Sequence, residues 1–331
     1  MMILLLFSLS LWDYSYNVSA TSLYDNNIFT YSPERIQEFI DYSAPYKYPF
    51  ETYDDLRTSA SVSLRLRNKF IEDRTTTFNL GLDVHHYLVN QEKDFQSIAI
   101  GIRQSFKTFA VKIAYTHIPE YLIRYYREPA GSSTDYIGCD VQYRTLSGKI
   151  SLLRLLPFAV HLTYARRWED YIEEFDLYDA RAHLLGIDAD LKLVHFIALG
   201  LGYQFRTQES DSAHSIVVFD DVPDGSFFQH AAQARLDVMC KLLFPGMLSL
   251  GYDYAFRNHR TDDVQDIYHY GRQDHVHTVR FERTARIFTG IELVVSYMKR
   301  WRNATSEIYP ALSSIKDYDK YRLGAGLNFY F

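Results

Sequence analysis

From residue 57 onward the chain alternates apolar and polar residues in segments of about 10–13 residues, a rhythm that leaves few folds open to it. Side chains two apart on a strand share a face, so each segment writes one apolar and one polar surface. Ala60, Val62, Leu64 and Leu66 oppose Ser61, Ser63, Arg65 and Arg67. Phe78, Leu80, Leu82 and Val84 oppose Asn79, Gly81, Asp83 and His85, and Phe109, Val111, Ile113 and Tyr115 oppose Ala110, Lys112, Ala114 and Thr116. The same texture recurs through Phe158–Tyr164, Leu185–Leu193, Ile197–Phe205, Ala234–Leu242, Leu248–Phe256, Val279–Phe281, Ile291–Tyr297 and Tyr321–Phe331. Only at 134–154 does the phase blur, around 145–149, where a bulge or a hairpin would change the strand count.

A helical membrane protein is excluded by counting, because no uncharged apolar run approaches the roughly 18–20 residues a spanning helix needs. The longest, 1–11, is too short. Apolar residues make up 47% of the chain, yet mean hydropathy is −0.23, so the apolar residues are interleaved with polar ones. The 28 tyrosines suit a surface that is apolar in the middle and wet at both edges. If such strands enter a bilayer, only a closed barrel satisfies their backbone hydrogen bonds.

The connections support that reading. Those at 105–108, 155–158, 194–196, 244–247 and 287–290 are tight, whereas 119–133, 169–179, 207–227, 258–273 and 302–318 are long and polar. Transmembrane barrels have short periplasmic turns and long extracellular loops. The expected fold is therefore all-β, a transmembrane antiparallel up-and-down β-barrel of about 14 strands, with 12 as the fallback.

The N-terminus supports two readings. Residues 1–11 look like the apolar part of an export signal, with Val18-Ser19-Ala20 as a cleavage site. No Lys or Arg precedes the run, however, and 12–24 alternates Trp12, Tyr14, Tyr16, Val18 and Ala20 against Asp13, Ser15, Asn17, Ser19 and Thr21. We therefore expect 12–24 to be the first strand, and 12–331 to be one barrel domain. A short helix is expected near 33–41 in the first extracellular loop, with Ser32 as N-cap and Pro33 opening it. Cys139 and Cys240 read as isolated small hydrophobes on the apolar face of non-adjacent strands, not as a disulfide.

The last strand is the most specific signal. Tyr321, Leu323, Ala325, Leu327, Phe329 and Phe331 place an apolar residue at every second position and end in a terminal Phe. This resembles the C-terminal targeting strand of bacterial outer-membrane proteins, which that membrane's assembly machinery recognises; Tyr321, Leu323, Leu327, Phe329 and Phe331 would be the signal. Tyr24-Asp25-Asn26-Asn27-Ile28-Phe29 is similar to the opening strand-to-loop motif of outer-membrane β-barrel porins with an Asp-Asn-Ile-Phe-type signature. The resemblance implies an integral protein of the bacterial outer membrane.

With the apolar face toward lipid, the polar face lines a lumen. Its basic candidates are Arg65, Arg67, Lys69, Arg103, Lys112, Arg144, Arg167, Lys192, Arg206, Arg235, Lys241, Arg257, Arg280, Arg286 and Arg322. Its acidic candidates are Asp13, Asp83, Asp140, Asp188, Asp190, Asp237, Asp253, Glu282 and Glu292, which leaves a basic surplus in a chain of net charge −6. The expected pore lining is Arg65, Arg67, Asp83, Arg103, Lys112, Asp188, Asp190, Arg235, Asp237, Arg280, Glu282 and Arg322. A basic wall would pass small polar solutes with anions favoured. Alternatively the charges pair across strands and fill a non-conducting barrel, whose long acidic loops bind a partner, a polymer or a cation.

Other chemistry finds no motif. No nucleophile-plus-base set, phosphate-binding Gly loop or CxxC pair occurs, so neither an enzyme nor a cofactor is expected. His275 and His277, near His269, could supply a metal pair, but an aromatic and His-rich extracellular rim is the plainer reading. Basic residues spread singly through an acidic chain do not point to nucleic acid.

Overall fold

The computed structural model describes residues 12–71, 74–128, 132, 134–155, 158–211, 225–241, 243–261, 264, 266 and 268–331. The export-signal reading of 1–11 falls outside them. The strands are β1 (Asp13–Asp25), β2 (Asp55–Ile71), β3 (Arg74–Tyr87), β4 (Phe95–Ser105), β5 (Phe109–Ile118), β6 (Leu122–Arg127), β7 (Tyr136–Leu155) and β8 (Phe158–Tyr171). They continue as β9 (Ala180–Val194), β10 (Ile197–Ser210), β11 (Phe227–Cys240), β12 (Gly246–His259), β13 (Gln273–Phe288), β14 (Ile291–Thr305) and β15 (Tyr318–Tyr330). Each wall strand pairs antiparallel with its neighbours, and β15 pairs with β1, so the sheet closes. The short strand β6 pairs only with the upper part of β7, while β5 pairs with β7 directly. Setting β6 aside from the 15-stranded sheet leaves a wall of 14 strands.

The polarity is inside-out. Ile100 and Leu185 are each 55% exposed and Leu201 51%, whereas Asp25, Asp274 and Lys320 are buried. Lipid replaces water around the outward side chains, so this exposure does not carry the usual hydrophobic cost. The short connections gather at one end and the long ones at the other, which orients the barrel.

β7 explains the blurred phase. It is one continuous strand with neither a hairpin nor a bulge inside 136–152. Below residue 146 the usual rule holds, with Leu146 and Ile150 exposed outside. Above it the rule inverts. Cys139 and Val141 are 2% and 1% exposed on the inner side, and the outward side carries Arg144, bonded to Asp170 at 2.8 Å. The strand has left the bilayer there, so water meets the outer face and packing covers the inner one. Cys139 is thus not on the lipid face, and Arg144 is not luminal. Cys240, also a free thiol, keeps the outward parity of β11.

Closure is built from both ends of the chain. Tyr16 and Phe331 exchange backbone hydrogen bonds of 3.2 and 3.0 Å, and their rings stack at 4.7 Å. Toward the extracellular end, Asp25 accepts from Arg322 Nε at 2.7 Å and lies 3.1 Å from Lys320 Nζ. Asn26 Oδ1 accepts from the Tyr321 amide at 2.6 Å. Asn27 then clamps the chain reversal, accepting from the Tyr31 amide and donating to its carbonyl. Ala20 sits mid-strand, opposite Leu327 and Ala60.

The segment 26–54 turns back over the strands instead of projecting outward. Its helix α1 (Pro33–Ile40) is capped by Ser32 Oγ, which accepts from the Arg35 amide, and it contacts α2 (Leu312–Lys316) in the β14–β15 connection. Ile28, Phe29, Tyr31, Tyr48 and Phe50 form a buried cluster with Tyr87 and Leu122.

Removing one partner from a buried ion pair leaves an uncompensated charge, at a cost of about 3–5 kcal/mol. Asp25→Ala should therefore lower the melting temperature of the refolded barrel and shrink its heat-modifiable electrophoretic band. Glu209→Ala, on the outward parity of β10, should leave both near wild type.

Candidate functional site

The inward parity of β9–β15, with one residue each of β1, β7 and β8, encloses a cavity of about 760 Å³. Lys149, His161, Asp188, Asp190, Arg235, Asp237, Asp253, Arg280, Glu282 and Arg322 bring its charges. Seven of the twelve residues expected to line the interior are among them. The wall is cross-linked: Arg235 reaches Asp190 at 3.4 Å and Asp237 at 3.0 Å, and Gln233 donates to Asp188 at 2.7 Å. His161 lies 3.3 Å from Asp190, and Arg280 pairs with Asp253. Acids and bases nearly balance in this lining, so the basic surplus expected of the lumen as a whole does not extend to it.

The opposite wall differs. Arg65, Arg67, Arg103 and Lys112 lie on the inward parity of β2, β4 and β5, where Asp83 is the acid among the expected residues. Arg65, Arg67 and Lys112 are exposed to the interior. Asp83 accepts from Ser97 at 2.9 Å, and Arg65 donates to Asn79 at 3.4 Å. No carboxylate pairs with these four cations among the described residues. The lumen therefore has a balanced, cross-linked side and a positive, unpaired side.

Above the cavity the inward side chains pack into a neck beneath the long connections. Arg206 bonds Glu169 at 2.7 Å, and Arg272 grips Asp274 with two bonds of 2.8 Å. Arg257 donates to Gln229 and lies 4.1 Å above the Phe227 ring, and Arg302 donates to the Lys316 carbonyl at 2.7 Å. Arg124 of β6 reaches Thr30 in the first connection at 3.3 Å. Delocalised guanidinium groups tolerate such stacked, partly desolvated sites better than ammonium groups do.

Lys93, in the β3–β4 connection, ties two of these covers together. Its Nζ donates to the Leu122 and Ile123 carbonyls at 2.6 and 3.1 Å and lies 4.7 Å from the Phe29 ring centre. Burial, with Lys320 and Arg124 nearby, pushes its pKa down to about 7.

Sequence reasoning missed Lys149, whose phase was hidden in the blurred part of β7. It also placed Arg302 in a loop and overlooked Lys320, although both keep the inward parity of their strands. Arg124, Arg272 and Lys316 belong to connections, where no periodicity announces burial. The His269, His275 and His277 group does not converge. His275 and His277 face outward, each bonded to a tyrosine, while His269 lies 4.7 Å from His259 with the rings tilted by 44°. No group of three potential metal ligands occurs among the described residues.

No protein family and no curated protein matches the chain. Solved structures do. A loop L8 deletion mutant of OmpT, an outer-membrane protein of Vibrio cholerae, aligns at TM-score 0.51 and 8% identity, over 97% of this chain and 100% of that one. The outer-membrane channel DcaP of Acinetobacter baumannii aligns at 0.49 and 11%, over 97% of each chain. An anion-selective porin from Comamonas acidovorans aligns at 0.47 and 8%, over 97% and 99%.

The Lys93 shift has a testable sign. Undocking returns Lys93 to its ordinary pKa, so above about pH 7 the docked state binds fewer protons than the open one. Docking of β6 should then strengthen as pH rises from about 7, by up to about tenfold per unit, and level off below. Protease cleavage within 119–135, normalised to an unstructured peptide at each pH, should slow from pH 7 to pH 9. Lys93→Met should flatten that dependence.

The closed wall, the apolar outer belt and the charged interior give this chain the fold of a transmembrane β-barrel, the fold it shares with the Vibrio cholerae outer-membrane protein.

Proposed function

We propose that the barrel is a passive channel of the bacterial outer membrane for small polar solutes, with anions favoured. The observation that carries this reading is the basic wall formed by Arg65, Arg67, Arg103 and Lys112, without ion pairs among the described residues, facing a cross-linked and nearly neutral wall. Cations fixed in a low-dielectric enclosure raise the local anion concentration without binding any anion tightly. The apolar row Tyr321, Leu323, Leu327 and Phe329, with Phe331 sealing the seam, supports recognition by the outer-membrane assembly machinery.

One observation favours a second reading, a non-conducting surface barrel. Phe29, Tyr31 and Asp274 at the neck are at most 1% exposed, so the covers pack tightly there. The acidic β8–β9 connection, with Glu173, Glu174 and Asp176, would then be the surface that meets a partner, a polymer or a cation.

Planar-bilayer recording under a salt gradient separates the two. A channel gives discrete current steps with an anion-biased reversal potential, and the Arg65→Gln/Arg67→Gln/Arg103→Gln triple variant should move that potential toward zero while still conducting. A folded, heat-modifiable protein that stays electrically silent overturns the channel reading.

A further inference from the structure

Lys112 of β5 stands between two other cations. In the antiparallel register it is directly opposite Arg103 of β4 on one side and Lys149 of β7 on the other. All three keep the inward parity of their strands, so one rung of the wall carries three positive charges on successive strands. Thr77 of β3 and Thr163 of β8 close the rung at its two ends. Neighbouring strands lie about 4.8 Å apart, so the three backbone positions span roughly 10 Å.

Like charges directly opposite one another on paired strands are destabilising. Elsewhere in the interior the fold avoids this: Arg235 has Asp190 and Asp237, and Arg280 has Asp253. At this rung no carboxylate pairs with Arg103, Lys112 or Lys149 among the described residues. The acids nearest in register are engaged elsewhere, Asp83 with Ser97 and Asp188 with Gln233. The rungs on either side carry small residues. Gly101, Ala114 and Ser147 lie toward the long connections, and Ser105, Ala110 and Ser151 toward the short turns. Lys112 extends over the bare backbone of Gly101, its Cε 3.6 Å from where a side chain there would begin, and is exposed to the interior. Space is thus kept open around three charges that repel one another.

We propose that Arg103, Lys112 and Lys149 form a binding site for a compact polyvalent oxyanion, a phosphorylated or polycarboxylated solute with two or more negative charges within about 10 Å. A monovalent anion offsets one of the three charges and leaves the other two repelling each other. A polyvalent one faces all three, so its binding replaces repulsion across both strand pairs with attraction. Arg103 offers a planar fork and the lysines offer rotatable point charges, a set that suits phosphate and carboxylate oxygens alike. The site deepens the anion-favouring channel and rests on that reading for what is carried, whereas binding itself does not require conduction.

The test is isothermal titration calorimetry of the refolded full chain in detergent micelles at fixed ionic strength. Pyrophosphate and citrate are the polyvalent probes and acetate the monovalent control. Wild type should bind at least one polyvalent probe several-fold more tightly than acetate, and which one it holds tells a phosphorylated from a carboxylated solute. Lys112→Gln/Lys149→Gln should lose that preference and, freed of like-charge repulsion, melt no lower than wild type without anion. Arg144→Gln/Lys299→Gln, which removes the same charge from the outer face, should keep it. If the first variant does not fold, Lys112→Gln and Lys149→Gln are read singly, and each should lose part of the preference. Wild type that holds all three anions alike, or a folded Lys112→Gln/Lys149→Gln with its preference intact, overturns the site. Planar-bilayer recording separates this from the channel reading: a silent barrel that still prefers a polyvalent probe upholds the site and overturns the channel, and a conducting barrel with no such preference does the reverse.

Discussion

Everything in this barrel depends on the meeting of β1 with β15. A strand edge in hydrocarbon leaves each unpaired amide and carbonyl without a partner, and each costs several kcal/mol. Closure removes both edges at once. The two ends of the chain therefore carry demands that internal hairpins do not: they meet without a turn to set their register. Here the register is held at one end by Tyr16 stacking on Phe331 and at the other by Asp25 between Lys320 and Arg322. Asn26 extends the lock by one residue, and Asn27 turns the chain away from it.

That arrangement gives physical content to the Tyr-Asp-Asn-Asn-Ile-Phe run. Its polar residues close the seam and reverse the backbone, and its apolar ones seed the cluster that holds the first connection down. Ile28 and Phe29 are buried against Tyr87 and Leu122, so one short stretch joins the wall, the β3–β4 connection and β6. Burial of Lys93 among these rings is tolerable because two carbonyls and two aromatic faces replace its water, and because burial lowers its pKa so that it docks more readily without its proton.

How much of this was legible in the sequence follows from the solvent each face meets. Within the bilayer the outer face must be apolar, so period-two alternation marks strands such as β3, β9 and β12 cleanly. Where a strand rises past the lipid, the constraint reverses, as in β7, and a reader who keeps the phase assigns Cys139 and Arg144 to the wrong sides. Lys149 is lost by the same error. The neck was least legible, because Arg124, Arg272 and Lys316 are positioned by long-range packing between connections and not by any local repeat. The terminal strand and the opening motif were readable because seam closure demands particular residues at particular positions.

The uneven lumen also follows from construction. From β9 to β15 the inward acids and bases sit where neighbouring strands bring them within reach, so they neutralise one another and brace the wall, each such pair adding little stability on its own. On β2, β4 and β5 the inward cations have amides and hydroxyls beside them instead, such as Asn79 next to Arg65. Asp13, opposite Arg67, and Asp83 form no ion pair with them and offset only part of their field. A barrel with every luminal charge paired would be just as closed and just as stable, so the unpaired side is not required by the fold. That makes it the part of the interior for which the proposed channel, rather than the fold, supplies a reason.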